Sequence, residues 1–165
     1  MPVVGMDAFR TALRKEAAAI PEMVTALQKH AVADLFGMLA TPRDERGSPP
    51  FGSPRLTGRF IASLRVSVGS PDASYEPELS QHPVHGDKVL YPLPDEQDAM
   101  NRLAGLQAFQ RVMVTQSVPY ARDIEGGFSR KTPRGVFLNT YTTFAAAAQS
   151  YKIATIARPS SEAPF

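Results

Sequence analysis

The first third of the chain carries a long row of apolar residues at the spacing of one helix face. Nine apolar positions follow one another in steps of three or four residues: Phe9, Leu13, Ala17, Ile20, Val24, Leu27, Ala31, Leu35 and Met38. Charged and amide residues lie mostly between them, so the pattern predicts an amphipathic helix over 6–40. Pro21 interrupts the segment, but the row keeps its phase, which favours one kinked helix over two. Such a helix is about 50 Å long, so we expect it to project or to contact a neighbouring subunit.

Shorter segments further along the chain predict strands. Residues 60–68 predict a half-buried strand, because Leu64, Val66 and Val68 alternate with Arg65 and Ser67. Residues 111–117 are rich in β-branched side chains and predict a second strand. A short apolar piece at 89–91 predicts an edge strand.

Three further segments predict helices. Asp95 is a suitable N-cap for a helix that reaches about residue 110. Residues 120–125 predict a short turn or helix, which the glycines at 126–127 end. An apolar row over 137–151 predicts a last helix. Together the elements predict an α+β fold, with the long N-terminal helix and the C-terminal helix packed on a small antiparallel sheet.

Proline is concentrated in the middle of the chain. Nine of the 15 prolines lie within 42–94, so we predict loops at 42–56 and 70–94 inside a single domain, 1–165. These loops contain few apolar residues, so we expect partner molecules to order them. The polar tail, 158–165, is predicted to be mobile.

Composition excludes several classes of protein. The chain has 165 residues, a formal net charge of +2 and no cysteine, which excludes a disulfide framework, a thiol nucleophile and a zinc ribbon. No apolar run reaches about 18 residues, and the N-terminus lacks a signal-peptide pattern. We therefore expect a protein that is made in a reducing, cytoplasm-like compartment and does not insert into a membrane.

Candidate catalytic and metal-binding residues are few. His82 and His85 have H-x-x-H spacing, with Asp87 nearby, and three such groups can hold zinc. A fourth ligand at a supporting spacing is missing, and a hydrolase that used either histidine would lack a nucleophile. The chain also lacks G-x-S-x-G and phosphate-loop motifs. We therefore predict no enzyme activity, no metal and no cofactor.

Two segments carry residue patterns that local turn and strand formation alone would not require. They are LTGRFIASLRV at 56–66 and VMVTQSVPYARDIEGG at 112–127, and TPRGV at 132–136 and a helix follow them. In this order they resemble the neck or tail-completion proteins of long-tailed bacteriophages, the minor tail protein Z-like family. The resemblance covers roughly 35–69 and 105–153. The chain departs from the family in a longer link over 44–54 and in the residue types at Leu64 and Gly126.

The resemblance implies a structural virion protein at the neck between the phage head and tail. It implies a ring of copies of this chain, with six as the expected number. Its partners would be a head-completion or connector protein and a tail-terminator or tail-tube protein. DNA would pass through the ring without sequence recognition, and the subunit would assemble in the host cytoplasm before entering the virion.

The residues predicted to lie at a subunit or partner contact belong to the two motifs. They are Thr57, Gly58, Arg59, Pro119, Tyr120, Ile124, Glu125, Gly126 and Gly127. Tyr120 has the rigid amphipathic side chain that interfaces favour, and Glu125 is predicted to pair with a basic group such as Arg59. The alternative is that Tyr120 and Ile124 only cover the domain's own core, as turn residues of an unrelated α+β domain.

A different class of function is a small nucleic-acid-binding module. Its face would consist of Arg122, Arg130, Lys131 and Arg134. Such a module would bind duplex DNA tightly and with a steep dependence on salt. The basic run at 129–134 lacks interleaved aromatic residues, and a solvated loop is its more ordinary interpretation.

Overall fold

The computed structural model describes residues 6–44, 46–77 and 91–154, with side chains described up to residue 148. The first helix, α1, runs from Met6 to Ala40 without a break at Pro21, as predicted. The histidines His82 and His85, Asp87, most of the predicted edge strand and the tail at 158–165 lie outside the described residues.

The two halves of α1 have different surroundings. Every residue of 6–23 is exposed, whereas Phe36 and Leu39 near the C-terminal end are buried in the core. These two residues follow Leu35 and Met38 of the predicted apolar row by one position each, and one residue turns a helix by about 100°. The helix therefore packs through a face beside the row, and most of the row is left uncovered.

Seven shorter elements and one further helix follow α1. They are β1 (Pro42–Arg43), β2 (Ser53–Pro54), α2 (Arg59–Ala62), β3 (Leu64–Val68), α3 (Glu96–Asn101), β4 (Val112–Gln116), α4 (Ala121–Glu125) and α5 (Phe137–Ala154). None of the helices in the described part of the chain is both long and apolar enough to cross a membrane.

The central sheet consists of the antiparallel pair β3 and β4. Its register places Leu64 opposite Gln116 and Val68 opposite Val112. The ends of α1 and α5 pack with this pair around one core, so the predicted α+β fold is confirmed. The core contains Phe36, Leu39, Phe60, Ile61, Leu64, Val66, Ala99, Leu103, Leu106, Val118 and Val136.

The predicted strand at 60–68 is too long at its N-terminal end. Residues 59–62 form the short helix α2, and the strand starts only at Leu64. Phe60, Ile61 and Ala62 are three consecutive buried residues. A strand that faces solvent on one side directs alternate side chains outwards, whereas a helical turn wedged into the core buries all three.

The predicted helix over 95–110 is also too long. Asp95 is its N-cap, as predicted, and its carboxylate accepts a 2.8 Å hydrogen bond from the Gln97 amide. The helix ends at Asn101, however, and single turns follow it. These turns allow Leu103 and Leu106 to be buried, and Phe109 takes a positive φ of 66° just before β4.

The described parts of the 42–56 loop, residues 42–44 and 46–56, form hydrogen bonds within the chain, and the predicted ordering by partner molecules stays a prediction. Short strands β1 and β2 pair in parallel, and the Ser53 amide donates to the Thr41 carbonyl at 2.9 Å. The Ser53 hydroxyl donates to the Leu39 carbonyl, and the Gly52 amide donates to the Thr140 hydroxyl. Polar hydrogen bonds to the ends of two helices therefore replace the apolar contacts that this loop lacks.

Candidate functional site

The two sequence motifs meet on one side of the molecule, at a groove between the 56–58 turn and α4. We call this feature the motif groove. It is a cavity of about 240 Å³ lined by Pro54, Leu56, Thr57, Gly58, Phe60, Tyr120, Ile124 and Ser129. Four of the residues predicted to lie at a contact are therefore brought together, although Gly58 and Tyr120 are more than sixty residues apart in sequence.

The first wall of the groove is the turn that starts α2. Gly58 is the N-cap of α2 with a φ of 91°, a conformation that side chains other than glycine rarely adopt. A Cβ at this position would lie 2.9 Å from the Tyr91 carbonyl oxygen, and the Tyr91 amide donates to the Thr57 carbonyl at 2.9 Å. Gly58 therefore permits the turn and its close approach to Tyr91, as the motif predicted.

The second wall of the groove is the segment that follows β4. Val118 is buried, Pro119 is exposed, and Tyr120 is the N-cap of α4. Tyr120 and Ile124 are half-buried and pack against the core. These two residues therefore cover part of the domain's own core, and both also line the groove. Their place at a subunit contact stays a prediction.

Two large apolar side chains are exposed to water at or near the groove. Leu56, which lines the groove, is 74% exposed, and Phe128, which precedes the lining residue Ser129, is 86% exposed. Neither was among the residues predicted to lie at a contact. Each is a large apolar residue in a mainly polar loop, and that is the signal by which it could have been found.

Within the described chain, the Glu125 carboxylate bonds to backbone amides of its own domain and not to a basic side chain. One carboxylate oxygen accepts hydrogen bonds from the amides of Val136 and Phe137, at 2.8 and 3.0 Å, and the other accepts from the Leu138 amide at 3.1 Å. Glu125 thus caps the N-terminus of α5, where a negative charge also opposes the positive end of the helix dipole. Within the described chain its carboxylate forms no ion pair with Arg59, so the predicted pairing does not occur inside one subunit, and a pairing across subunits stays a prediction.

The sequence does contain a sign of this cap. Helix α5 begins at Phe137, and the residues just before it are Arg134, Gly135 and Val136. None of these has a side chain that accepts a hydrogen bond from the first turn. A helix start without a local cap requires an acceptor from elsewhere, and Glu125 provides it.

The two glycines after α4 have different roles. Gly126 is the C-cap of α4 and has an ordinary helical φ of −70°. Gly127 has a φ of 89°, and a Cβ there would lie 2.5 Å from the Pro133 carbonyl oxygen. Gly127 therefore lets the chain turn back so that 128–135 can reach α5.

Arg59 lies on the side of α2 that faces the 70–77 segment. Its Nε donates to the Glu76 carbonyl at 2.9 Å, and its guanidinium lies 5.8 Å from the centre of the Tyr75 ring. Nearby, Arg65 forms a 2.8 Å ion pair with the Glu76 carboxylate. Arg59 therefore helps to hold the described start of the 70–94 loop and is not part of the motif groove.

Comparison with protein-family models, curated proteins and solved structures returned no match for this chain. The resemblance to phage neck proteins therefore stays a prediction, which depends on the two motifs and their order.

The residues of the alternative nucleic-acid face are only partly available. Arg122, Arg130 and Arg134 are exposed, whereas Lys131 is half-buried and donates to the Arg55 carbonyl at 3.2 Å. For metals, the described residues contain no group of three or more potential His, Asp or Glu ligands. The H-x-x-H candidate lies outside them.

A second uncovered apolar surface lies on the N-terminal half of α1. We call it the free stripe, and it consists of Phe9, Leu13, Ile20, Met23 and Leu27. Phe9 is 62% exposed and Leu13 is 58% exposed. Within the described chain, hydrogen bonds between α1 and the body begin only at Gln28, whose side chain bonds to the backbone of Phe109 and Gln110.

Proposed function

We propose that this protein is a structural, non-catalytic subunit of the neck of a long-tailed bacteriophage, where it forms part of the ring that completes the tail or joins it to the head. The fold supports the proposal because its elements follow the order that the resemblance implies. A long N-terminal helix is followed by a turn and strand, a second strand that ends at Gln116, three residues before Pro119, a glycine turn and a C-terminal helix.

The observation that carries the proposal is the free stripe. Its five side chains expose roughly 500 Å² of apolar surface, comparable to the largest patches on soluble monomers, which are often functional. A soluble helix normally turns such a face towards its own core, but α1 turns a different face inwards and extends beyond the body. A subunit that is built for assembly explains why this surface is left uncovered.

The charge of the chain is compatible with a conduit for DNA. The formal net charge is only +2, and at least three of the described arginines, Arg10, Arg65 and Arg102, are paired with carboxylates. A strongly basic lumen would hold a passing duplex through its phosphates. A nearly neutral ring would let DNA slide through, which is the behaviour that the proposed neck position requires.

The proposal is tested by the assembly state of the purified full-length chain. We expect closed rings by electron microscopy and one dominant copy number, six, by native mass spectrometry as the concentration rises. In a phage that encodes this protein, deletion of the gene should give filled heads and finished tails that do not join. A chain that stays monomeric at all concentrations and binds duplex DNA with a steep salt dependence would contradict the proposal and favour a nucleic-acid-binding module.

A further inference from the structure

We propose that the free stripe of one copy docks into the motif groove of the next copy, and that this contact closes the ring. The inference rests on the proposed function and names the two surfaces that form its repeating contact. Both surfaces are apolar, both lack a cover within the described chain, and they lie on different parts of the subunit.

The free stripe has the geometry of a row of side chains that inserts into a groove. Phe9 and Leu27 are 18 residues apart, which is about 27 Å along the helix axis, and the members between them recur at helical spacing. All five fall within roughly a quarter of the helix circumference. An amphipathic helix that lays such a row into an apolar groove is a common mode of protein recognition.

The motif groove has the size and lining to receive side chains. Its volume of about 240 Å³ lies below the roughly 300–1,000 Å³ of most small-molecule sites, so it suits one aromatic or two aliphatic side chains. Its walls are mainly apolar, with Phe60 and Ile124 among them. Leu56 is 74% exposed, so the apolar surface of the cavity continues towards solvent, where a side chain from a second helix can reach it.

A second copy is the occupant that satisfies both surfaces at once. If two free stripes paired with each other, the contact would be symmetric and would close as a dimer, leaving both motif grooves open. A stripe in a groove is a head-to-tail contact between two different surfaces, and such contacts generate rings when the rotation closes. The stripe alone offers a large part of the roughly 800 Å² per partner that stable interfaces bury.

The chain offers a clean test because it contains no cysteine. The full-length Leu13→Cys and Leu56→Cys variants are mixed, oxidised and digested, and the linked peptides are identified by mass spectrometry. We expect 13–56 links to exceed 13–13 links at least tenfold. Leu138→Cys is the matched control, because Leu138 is 64% exposed on α5 and lies on neither surface. A dominant 13–13 link, or 13–138 links as frequent as 13–56 links, would overturn the docking mode while leaving the ring intact.

A charge exchange provides a second, independent readout. Leu13 and Leu56 are both largely exposed, so Leu13→Glu and Leu56→Lys should leave the isolated subunit folded. We expect each single variant to weaken assembly at least tenfold in sedimentation velocity, and the double variant to recover most of the loss. Failure of the double variant to recover refutes the pairing of these positions. A wild-type chain that never assembles refutes the proposed function itself, so the two failures are distinguishable.

Discussion

The two halves of α1 belong to one continuous helix but have opposite surroundings. Residues 6–23 are exposed all round, although they include Phe9, Leu13 and Ile20. The C-terminal half inserts Phe36 and Leu39 into the core, where they contribute to a cluster with the sheet and the start of α5. Apolar side chains in the C-terminal half of α1 therefore stabilise the subunit, whereas similar side chains in the N-terminal half are available to contact another molecule.

The residues that stabilise the fold are therefore different from the residues that we propose for assembly. The described body is held together by the core, the Glu125 cap and the hydrogen bonds of Ser53. The free stripe contributes little to the fold, because burial stabilises a protein only where water is removed. Substitutions in the two regions should therefore affect different properties of the protein.

The largest expected contrast comes from two matched leucine truncations. Leu39→Ala removes a side chain that is only 1% exposed and should lower the free energy of unfolding by about 2–5 kcal/mol. Leu13→Ala, in the free stripe, should change it by less than about 0.5 kcal/mol in the dilute monomer. Urea unfolding of both variants measures the difference. Equal losses would show that the free stripe is part of the subunit's own core.

The Gly127 turn should be the next most sensitive feature of the body. Gly127→Ala combines a φ of 89° with a Cβ placed 2.5 Å from the Pro133 carbonyl oxygen, and should cost about 1–3 kcal/mol. Gly69→Ala is the control, because Gly69 has a similar φ of 82° but an added Cβ there meets nothing within 4 Å. The thermal midpoints compare the two variants. A control that is as unstable as Gly127→Ala would show that the approach to Pro133 contributes nothing.

The remote helix cap should have a smaller but specific effect. Glu125→Gln keeps the shape of the side chain but removes its charge and one of the two acceptor oxygens that serve three amides. We expect a loss of about 1 kcal/mol, with faster hydrogen exchange confined to the first turn of α5. The nearby exposed Asp123, changed to Asn, is the control and should change neither quantity. Unchanged exchange at 136–138 in Glu125→Gln would contradict the role of the cap.

The smallest expected effect concerns Asp72, whose contacts fasten the start of the 70–94 loop to the body. Hydrogen bonds from Ser74 and then the charge of Arg102 lower the pKa of the Asp72 carboxyl group. The stabilisation is therefore present at neutral pH and lost as the pH falls through the lowered pKa. Because the pair is partly exposed, Asp72→Asn should cost under about 1 kcal/mol at pH 7, and the difference from wild type should fade below about pH 4. A difference that persists unchanged at pH 2 would contradict the electrostatic origin.

Sequence patterns predicted the elements better than the faces they bury. The periodicity of α1, the alternation after Ser63 and the N-cap at Asp95 are local signals, and each element exists. Which residues of α1 are buried, here Phe36 and Leu39, depends on how the rest of the chain packs against the helix. Local patterns do not contain that information.

The candidate site was also only partly predictable. Gly58 and Gly127 are needed for local turn geometry, which their residue type reveals. Glu125 caps a helix that starts twelve residues later, and the motif groove joins segments that are distant in the sequence. Long-range contacts of this kind follow from the folded topology, so the place of Leu56 in the groove was not predicted.

Hydrogen exchange of the full-length chain in the dilute monomer and in the concentrated assembly tests the central claim most directly. The account predicts that amides of 6–23 exchange at least tenfold more slowly in the assembly, while amides of β3 and β4 are equally protected in both states. Unchanged exchange at 6–23 on assembly would contradict the role of the free stripe. Protection of β3 and β4 that appears only on assembly would contradict a body that folds by itself.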